Sequence, residues 1–458
     1  MFSWLKGSGL RNPISIVGAF LTTFSAVLFL VVFLADLFGL HTNPYIGIVF
    51  FLILPGFFLL GLALIPVGAW LERRRRKSGL GASIVDWPKL DLNNPHQRKV
   101  TGIVFVLTLA NIVIVSLAAY RGIEYMDSVQ FCGQVCHVVM KPEFSAYQEG
   151  PHSRVACVQC HIGPGASWFA KSKVSGIRQV FAVTLHTYSR PIPSPVEQLR
   201  PAREVCEQCH WPEKFHGDKI VTLHEYAEDE ANTDSVTKVQ VHIGGGNDRR
   251  GGATGIHWHT NPNNRIEYIA IDKKRQVIGY VRLTDKLGNV REYRAPNITD
   301  DQLAKGERRT MDCMDCHNRP SHPMAATAER AVNQALAAGE IPASVPFIRR
   351  EAVKLLKAEY PSQEAADAAI ADGLRNFYRT NYKDRFASQP GEFERAIAAT
   401  QFLYRRSIFP EMGVKFGSYP NNLGHMDFPG CFRCHDEEHV TKDGRKIAQD
   451  CEQCHKIE

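Results

Sequence analysis

The stretch Cys157-Val-Gln-Cys160-His161 places two thiols one helical turn apart, with a histidine directly after the second. Six segments of the 458-residue chain end in the same Cys-His pair, and together they contain all twelve cysteines. In chain order, motifs one to six are Cys132/Cys136-His137, Cys157/Cys160-His161, Cys206/Cys209-His210, Cys313/Cys316-His317, Cys431/Cys434-His435 and Cys451/Cys454-His455.

Five of these motifs have the spacing CxxCH, which is the attachment signature of c-type haem. Both thiols can form thioethers with the vinyl groups of one haem, and the adjacent histidine then serves as an axial ligand of the iron. Motif one has one extra residue between Cys132 and Cys136, but positions i and i+4 still share a helix face. We therefore predict six covalently bound haem c groups, with a disulfide or a metal pair as the alternative at motif one.

Zinc binding and disulfide formation explain less of the pattern. A zinc site needs four ligands, but nothing in it requires a histidine directly after every second cysteine. An extracytoplasmic disulfide framework also uses an even number of cysteines, but it leaves the histidines unexplained. Haem attachment accounts for both residue types.

Residues 14–35, 45–71 and 100–119 are uncharged and long enough to cross a bilayer, so we predict three transmembrane helices. The first exceeds a signal-peptide core and lacks a small-residue cleavage site after it, which favours an uncleaved anchor. The basic run at residues 73–77 predicts a cytoplasmic loop rather than a nucleic-acid site. The N-terminus is then cytoplasmic, and the chain after Tyr120 is periplasmic in a bacterial inner membrane. The basic residues of this loop contribute much of the net charge of +7, so the net charge says little about the partners of the periplasmic domain.

The pattern predicts a membrane-anchored multihaem cytochrome c with a haem-packed, mostly α or irregular periplasmic domain and a small β-rich insertion. The insertion is inferred from period-two alternation of apolar residues in a segment without cysteine. The last segment contains Ala-rich stretches with helical periodicity. The predicted segments are 1–120 (membrane anchor), 121–230 (three haems), 231–305 (β-rich insertion) and 306–458 (helices with haems four to six).

Residues 131–210 resemble the NapC/NirT family of membrane-anchored multihaem quinol dehydrogenases. Besides the first three motifs, the resemblance lies in the order Met140, Pro151-His152, Trp168 and Lys173. Motif four, with His322 five residues after its own histidine, resembles the last motif of the family. Three predicted membrane helices, the β-rich insertion and two further motifs indicate an enlarged member.

The resemblance implies that a quinol, expected to be menaquinol, binds near the first haem. Met140 would contribute to the axial environment of that haem, and Lys173 would contribute to the quinol pocket. The family offers a carboxylate soon after this lysine, whereas no Asp or Glu lies between Lys173 and Glu197 here. Lys171 is the alternative amine.

We predict distal haem ligands among the histidines that lie within a few residues of a motif. They are His152, His216, His322, His425 and His439. Five second choices have turn or strand positions as the alternative, namely His186, His224, His242, His257 and His259. Two histidines on one iron give a lower potential than His/Met, so such haems suit low-potential electron carriers.

The sequence thus predicts transfer of electrons from a membrane quinol, through six haems, to periplasmic cytochromes, a terminal reductase or an outer-membrane acceptor. One alternative is a terminal multihaem reductase of a small oxyanion or metal, which needs an open iron coordination site. Another is a relay subunit of a larger respiratory complex. Counting the distal ligands distinguishes the reductase from the conduit.

Overall fold

The computed structural model describes residues 13–37, 54–77, 91–135, 137–196, 199–245 and 254–458. The chain forms two compact units, Met1–Val135 and Cys136–Glu458. The start of the second predicted span, residues 45–53, and Cys136 of motif one lie outside the described residues.

The first unit contains the helices α1 (Pro13–Leu37), α2 (Leu54–Lys77) and α3 (Pro95–Met126). Each has a segment long and apolar enough to cross a membrane, which confirms the prediction of three such helices. The third begins earlier than predicted, because the Asn94 side chain caps it by accepting hydrogen bonds from the next turn, and it continues to Met126.

Helices α1 and α2 approach each other closely at two glycines. A Cβ atom added to Gly18 would come within 2.7 Å of the Gly61 carbonyl oxygen, so neither position has room for a side chain. One turn away, the Ser15 hydroxyl donates a hydrogen bond to the Ile65 carbonyl oxygen over 2.9 Å. Small residues and such hydrogen bonds are what hold helices together where no water drives their association.

The second unit contains more helix than strand. Its helices are α4 (His137–Glu149), α5 (Cys157–His161), α6 (Ala166–Thr184), α7 (Ala202–Cys206), α8 (Asp300–Lys305), α9 (Cys313–Cys316), α10 (Ala328–Ala337), α11 (Ile348–Leu356), α12 (Gln363–Asn381), α13 (Lys383–Ser388), α14 (Pro390–Ser407) and α15 (Cys451–Cys454). Short 3₁₀ turns occur at Pro212–Lys214, Ile256–Thr260, Pro410–Met412 and Gly430–Arg433.

Two antiparallel sheets complete this unit. The strands are β1 (Lys219–Tyr226), β2 (Asp234–Val241), β3 (Arg265–Ala270), β4 (Ile278–Thr284), β5 (Val290–Arg294), β6 (Glu307–Thr310) and β7 (His455–Ile457). One sheet has the order β1-β2-β7 and the other β5-β4-β3-β6. Strands therefore extend beyond the predicted insertion on both sides.

The largest side-chain core lies among α10, α11, α12 and α14. Ile348, Ile370, Leu374 and Phe393 are fully buried there. The Ala-rich periodicity predicts these helices, and the Ser362 side chain caps α12. A smaller core covers one face of the second sheet and includes Tyr268.

Candidate haem-ligation site

Each described CxxCH motif forms a tight turn. Motifs two, four and six are short α-helices, motif five is a 3₁₀ turn, and motif three begins at the last residue of α7. The backbone N–H of His317 donates to the carbonyl oxygen of Cys313 over 2.8 Å, and motifs three and five repeat this bond. The turn therefore brings both thiols and the histidine to one side, as haem attachment requires.

The second thiol of motif three lies beyond the end of its helix. Cys209 is exposed and lies outside any helix. The physical reason is that α7 ends at Cys206, so the chain continues in a turn at the surface. The backbone N–H of Cys209 still donates to the Cys206 carbonyl oxygen over 3.1 Å, which keeps the two residues close. Cys431 and Cys451 are exposed as well, and an exposed thiol is one that a haem vinyl group can reach.

Motif one differs from the others in its local structure. Residues Phe131–Val135 form a π-helical turn, and α4 begins at His137. A π-helical turn contains more residues than an α-helical turn, so it accommodates the extra residue after Cys132. The side chain of His137 lies outside the part of the chain that the structure describes.

The histidines of motifs two to six each face a second histidine. The distances between ring centres are 6.3 Å for His161 and His322, 6.0 Å for His210 and His152, 6.3 Å for His317 and His257, 5.8 Å for His435 and His259, and 6.0 Å for His455 and His425. Two imidazoles that bind one metal ion through bonds of about 2.0 Å place their ring centres roughly 6 Å apart. The five pairs therefore fit a haem iron with two histidine ligands.

Four of the second histidines are also held in the tautomer that iron binding needs. Their Nδ1 atoms lie against backbone carbonyl oxygens, at 2.9 Å for His322 on Glu143, 3.1 Å for His152 on Pro320, 3.0 Å for His257 on Ile243 and 2.9 Å for His259 on Ile256. A carbonyl oxygen only accepts, so Nδ1 carries the proton in each ring. The lone pair of Nε2 is then available to a metal.

Two predicted distal ligands, His439 and His216, do not face a described motif histidine. His439 is buried, and its Nδ1 and Nε2 atoms lie 2.9 Å from Asp436 and 3.0 Å from the Ile278 carbonyl oxygen. Both ring nitrogens are thus engaged by protein acceptors, which argues against iron ligation. His216 is exposed, with Nδ1 2.9 Å from the Lys214 carbonyl oxygen, and no described motif histidine pairs with its ring. We therefore do not assign these two residues as distal ligands.

His257 and His259, which the sequence ranks as second choices, face the histidines of motifs four and five instead. Both lie in the turn Ile256–Thr260, outside every motif and within the cysteine-free segment. The sequence signal for them is the His-Trp-His spacing after Gly255, because two histidines separated by one residue can face two different partners. Of the other second choices, His224 and His242 lie against Asp234 and Asp218.

The motif thiols lie next to one another in chain order. Hydrogen bonding with Cys313 and then burial raise the pKa of Cys206, which links motifs three and four. Burial, followed by the charge of Cys431, raises the pKa of Cys316 to about 12 and links motifs four and five. Similar effects connect motif two with motif three and motif five with motif six. Nine of the described cysteines, from Cys160 onward, have free thiols, so a disulfide framework does not form among them.

The second sheet holds motif four through Asp315. Asp315 is 3% exposed and accepts a hydrogen bond from the Tyr268 hydroxyl of β3. The Arg309 side chain of β6 lies 3.4 Å from the same carboxylate oxygen. The other oxygen accepts from the backbone N–H of Asp312, which closes a capping box around α9. The cysteine-free segment thus positions the peptide of motif four.

The two candidate quinol-site lysines lie on different sides of α6. The Lys171 amine is 4.4 Å from the Trp168 ring centre, and the Lys173 amine is 4.7 Å from the Phe169 ring centre. Positions two apart on an α-helix point about 200° away from each other, so both amines cannot line one pocket. Lys171 is exposed and Lys173 is half-buried.

The same helix exposes a row of large apolar side chains. Val174 is 70% exposed, Ile177 61% and Phe181 62%, and their spacing places them on one face. Met140, the predicted contributor to the first haem site, is half-buried on α4.

Comparison with known proteins agrees with this geometry. Residues 94–193 match the NapC/NirT cytochrome c family, N-terminal region. The chain is 40% identical over 450 residues to the cytochrome c-type protein ImcH of Geobacter sulfurreducens, which covers 98% of this chain and 88% of that relative. The chain belongs to the NapC/NirT cytochrome c family. No solved structure matches it.

Family membership confirms several predictions from the sequence. The protein is a membrane-anchored cytochrome of the electron-transport type, with haem c bound covalently through its cysteines. Members of the family are in general quinol-oxidising cytochromes. The number of haems, the quinol and the electron acceptor belong to the proposal that follows.

Proposed function

We propose that this cytochrome oxidises a membrane quinol, with menaquinol as the expected substrate, and delivers the electrons through six haems. The acceptors would be periplasmic cytochromes, a terminal reductase or an outer-membrane protein. The observation that carries the proposal is that all five described CxxCH histidines face a second histidine about 6 Å away. An iron with two histidine ligands has no position left for an oxyanion or a metal substrate. This supports an electron conduit over a terminal reductase.

When bound, haem iron accepts and releases one electron at a time. The protein residues hold the groups: the cysteine pairs of motifs one to six attach them, and His137, His161, His210, His317, His435 and His455 supply the proximal nitrogens. Met140 is assigned to the first haem. The succession of motif thiols from two to six supports a single line of carriers in chain order.

At the quinol site, oxidation removes two electrons and two protons and leaves a quinone. The electrons reduce two one-electron acceptors, and the protons leave to the outer side of the membrane. We assign Lys173 to hydrogen-bond a quinol oxygen and to pass its proton. The exposed apolar face of α6 supports this assignment, because such a face lies in the bilayer interface, where an apolar quinol partitions.

The topology proposal places the N-terminus in the cytoplasm and the haem-binding part in the periplasm, with the anchor in the inner membrane. It rests on the basic residues at the end of α2. A reporter fused near Gly79 should report a cytoplasmic location, and one fused after Glu458 a periplasmic location. The opposite result would overturn the assignment.

The test of the quinol site compares Lys173→Ala with Lys171→Ala in the purified, detergent-solubilised protein. The second variant is the matched control, since it removes the same charge from the other side of α6. We expect Lys173→Ala to slow reduction by a menaquinol analogue about 100-fold, as loss of a proton-transfer group does. Reduction by dithionite and the haem content should not change.

Unaltered quinol kinetics in both variants would contradict the quinol assignment and favour a relay subunit without its own quinol site. Equal slowing in both variants would indicate a general effect of positive charge rather than a specific contact. Failure of the wild-type protein to be reduced by any quinol analogue, with dithionite effective, would contradict the proposed function itself.

A further inference from the structure

The turn Ile256–Thr260 is fixed at both ends by hydrogen bonds to its backbone. Gly255, which precedes it, has φ +64°, and a Cβ added there would lie 2.4 Å from the His242 carbonyl oxygen. The backbone N–H of Ile256 donates to the same oxygen over 2.9 Å. After the turn, the Asn264 side chain donates to the Trp258 carbonyl oxygen over 3.1 Å. These backbone contacts hold the turn in place and leave no room for a side chain at position 255.

This conformation sends the two histidines of the turn in different directions. Residues two apart in a 3₁₀ helix are rotated by about 240°. His257 accordingly meets His317 of motif four, with ring planes 6° apart, and His259 meets His435 of motif five, with ring planes 78° apart. Each ring has its Nδ1 atom on a backbone carbonyl oxygen, which leaves Nε2 available to a metal.

Neither histidine is a solvated surface residue. His257 packs edge-on against Phe215, with ring centres 4.9 Å apart. His259 packs edge-on against the neighbouring Trp258, with ring centres 5.6 Å apart. Both imidazoles are thus held by aromatic side chains of the protein.

A second connection joins the same two motifs. Arg433, between the cysteines of motif five, donates to the Asp315 carbonyl oxygen of motif four over 2.7 Å. It also donates to the Arg275 carbonyl oxygen in the cysteine-free segment over 2.9 Å. Arg433 therefore connects motif five to motif four and to the loop between β3 and β4, in the sheet that contains Tyr268.

We infer that the turn Ile256–Thr260 supplies distal ligands to two haems at once, His257 to the haem of motif four and His259 to the haem of motif five. The inference rests on the proposed haem attachment at these motifs. The cysteine-free segment then holds the fourth and the fifth haem through one backbone turn.

The experiment uses the full-length holoprotein with His257→Ala, His259→Ala and the control Trp258→Phe, which perturbs the same turn without removing an imidazole. Each histidine variant should retain all covalent haems by mass spectrometry and, after reduction by dithionite, bind one equivalent of carbon monoxide. Added imidazole should restore the low-spin spectrum. That equivalent is counted above the amount bound by the wild type, and Trp258→Phe should bind no more than the wild type.

Electron paramagnetic resonance distinguishes the two ligands. Near-parallel imidazole planes give a rhombic low-spin ferric signal, and near-perpendicular planes give a more anisotropic one, because they leave two iron orbitals almost degenerate. His257→Ala should therefore remove a rhombic signal, and His259→Ala a strongly anisotropic signal.

Retention of all haems without carbon monoxide binding in either variant would overturn the inference and leave the proposed function intact. Carbon monoxide binding in only one variant would overturn the shared-turn assignment. Absence of haem at motif four or five in the wild-type protein would instead contradict the proposed haem content.

Discussion

Removal of the Tyr268 hydroxyl should loosen motif four without disturbing the rest of the sheet. Tyr268 and Asp315 are 2% and 3% exposed, and the hydroxyl is the donor to Asp315 Oδ1. In Tyr268→Phe, that oxygen would keep only the Arg309 contact at 3.4 Å. The ring volume is retained, so no large cavity forms. A hydrogen bond to a buried charged group contributes about 1.5–3 kcal/mol, and this is the expected loss in local stability.

Hydrogen exchange measures this loss of local stability directly. Global unfolding is less suitable, because a protein with several segments does not unfold in a two-state manner. A loss of about 1.5–3 kcal/mol corresponds to roughly 10- to 150-fold faster exchange of the α9 amides and that of His317, if they exchange by local opening. Tyr293→Phe is the matched control, because Tyr293 is also buried in this sheet but lies on β5, two strands from β3. Unchanged protection of α9 in Tyr268→Phe would refute the idea that the sheet positions motif four through Asp315.

Three further predictions concern the core, acid stability and motif one. Leu374→Ala, at a fully buried position, should destabilise the helical core by about 2–5 kcal/mol, measured as a lower midpoint in guanidinium unfolding that is followed by helical circular dichroism. Hydrogen bonds from Arg275 lower the pKa of Glu307 in the folded protein. Their stabilisation should therefore be present above about pH 4.3, the pKa of an unperturbed Glu, and be lost as the pH falls through the lower pKa of the folded state. The difference in melting temperature between wild type and Glu307→Gln should shrink on acidification. Replacement of Cys132 and Cys136 by alanine should lower the haem content from six to five by mass spectrometry, and five haems in the wild-type protein, with Cys132 and Cys136 free or disulfide-bonded, would exclude attachment at motif one.

Local sequence signals predicted the membrane helices and most motif turns well. A bilayer requires a long apolar helix, and the sequence of α3 alone shows that requirement. The CxxCH spacing likewise works within one turn, so it needs little information about the rest of the fold. Cys209 shows the limit of this argument, because the spacing does not reveal that α7 ends at Cys206 and leaves the next thiol exposed. The Ala-rich periodicity near Leu374 predicted the helical core.

The second histidines depend on tertiary structure, and sequence distance to a motif was a poor guide to them. His152 precedes motif two but faces His210 of motif three, and His322 follows motif four but faces His161 of motif two. His439 lies close to motif five, but its two ring nitrogens are used to hold a loop and a strand. Only the arrangement of the strands around the turn Ile256–Thr260 brings its histidines to motifs four and five.

The pairing of histidines also sets an order for maturation. If the part of the chain after α3 crosses the membrane in order of its sequence, most motif histidines would find their partner already in the periplasm. His210, for example, would meet His152 as soon as motif three emerges. His161 is the exception among the described pairs, because its partner His322 lies far downstream. A haem at motif two would thus have one histidine ligand through much of synthesis, and a chain that ends before residue 322 would leave its iron with an open coordination position.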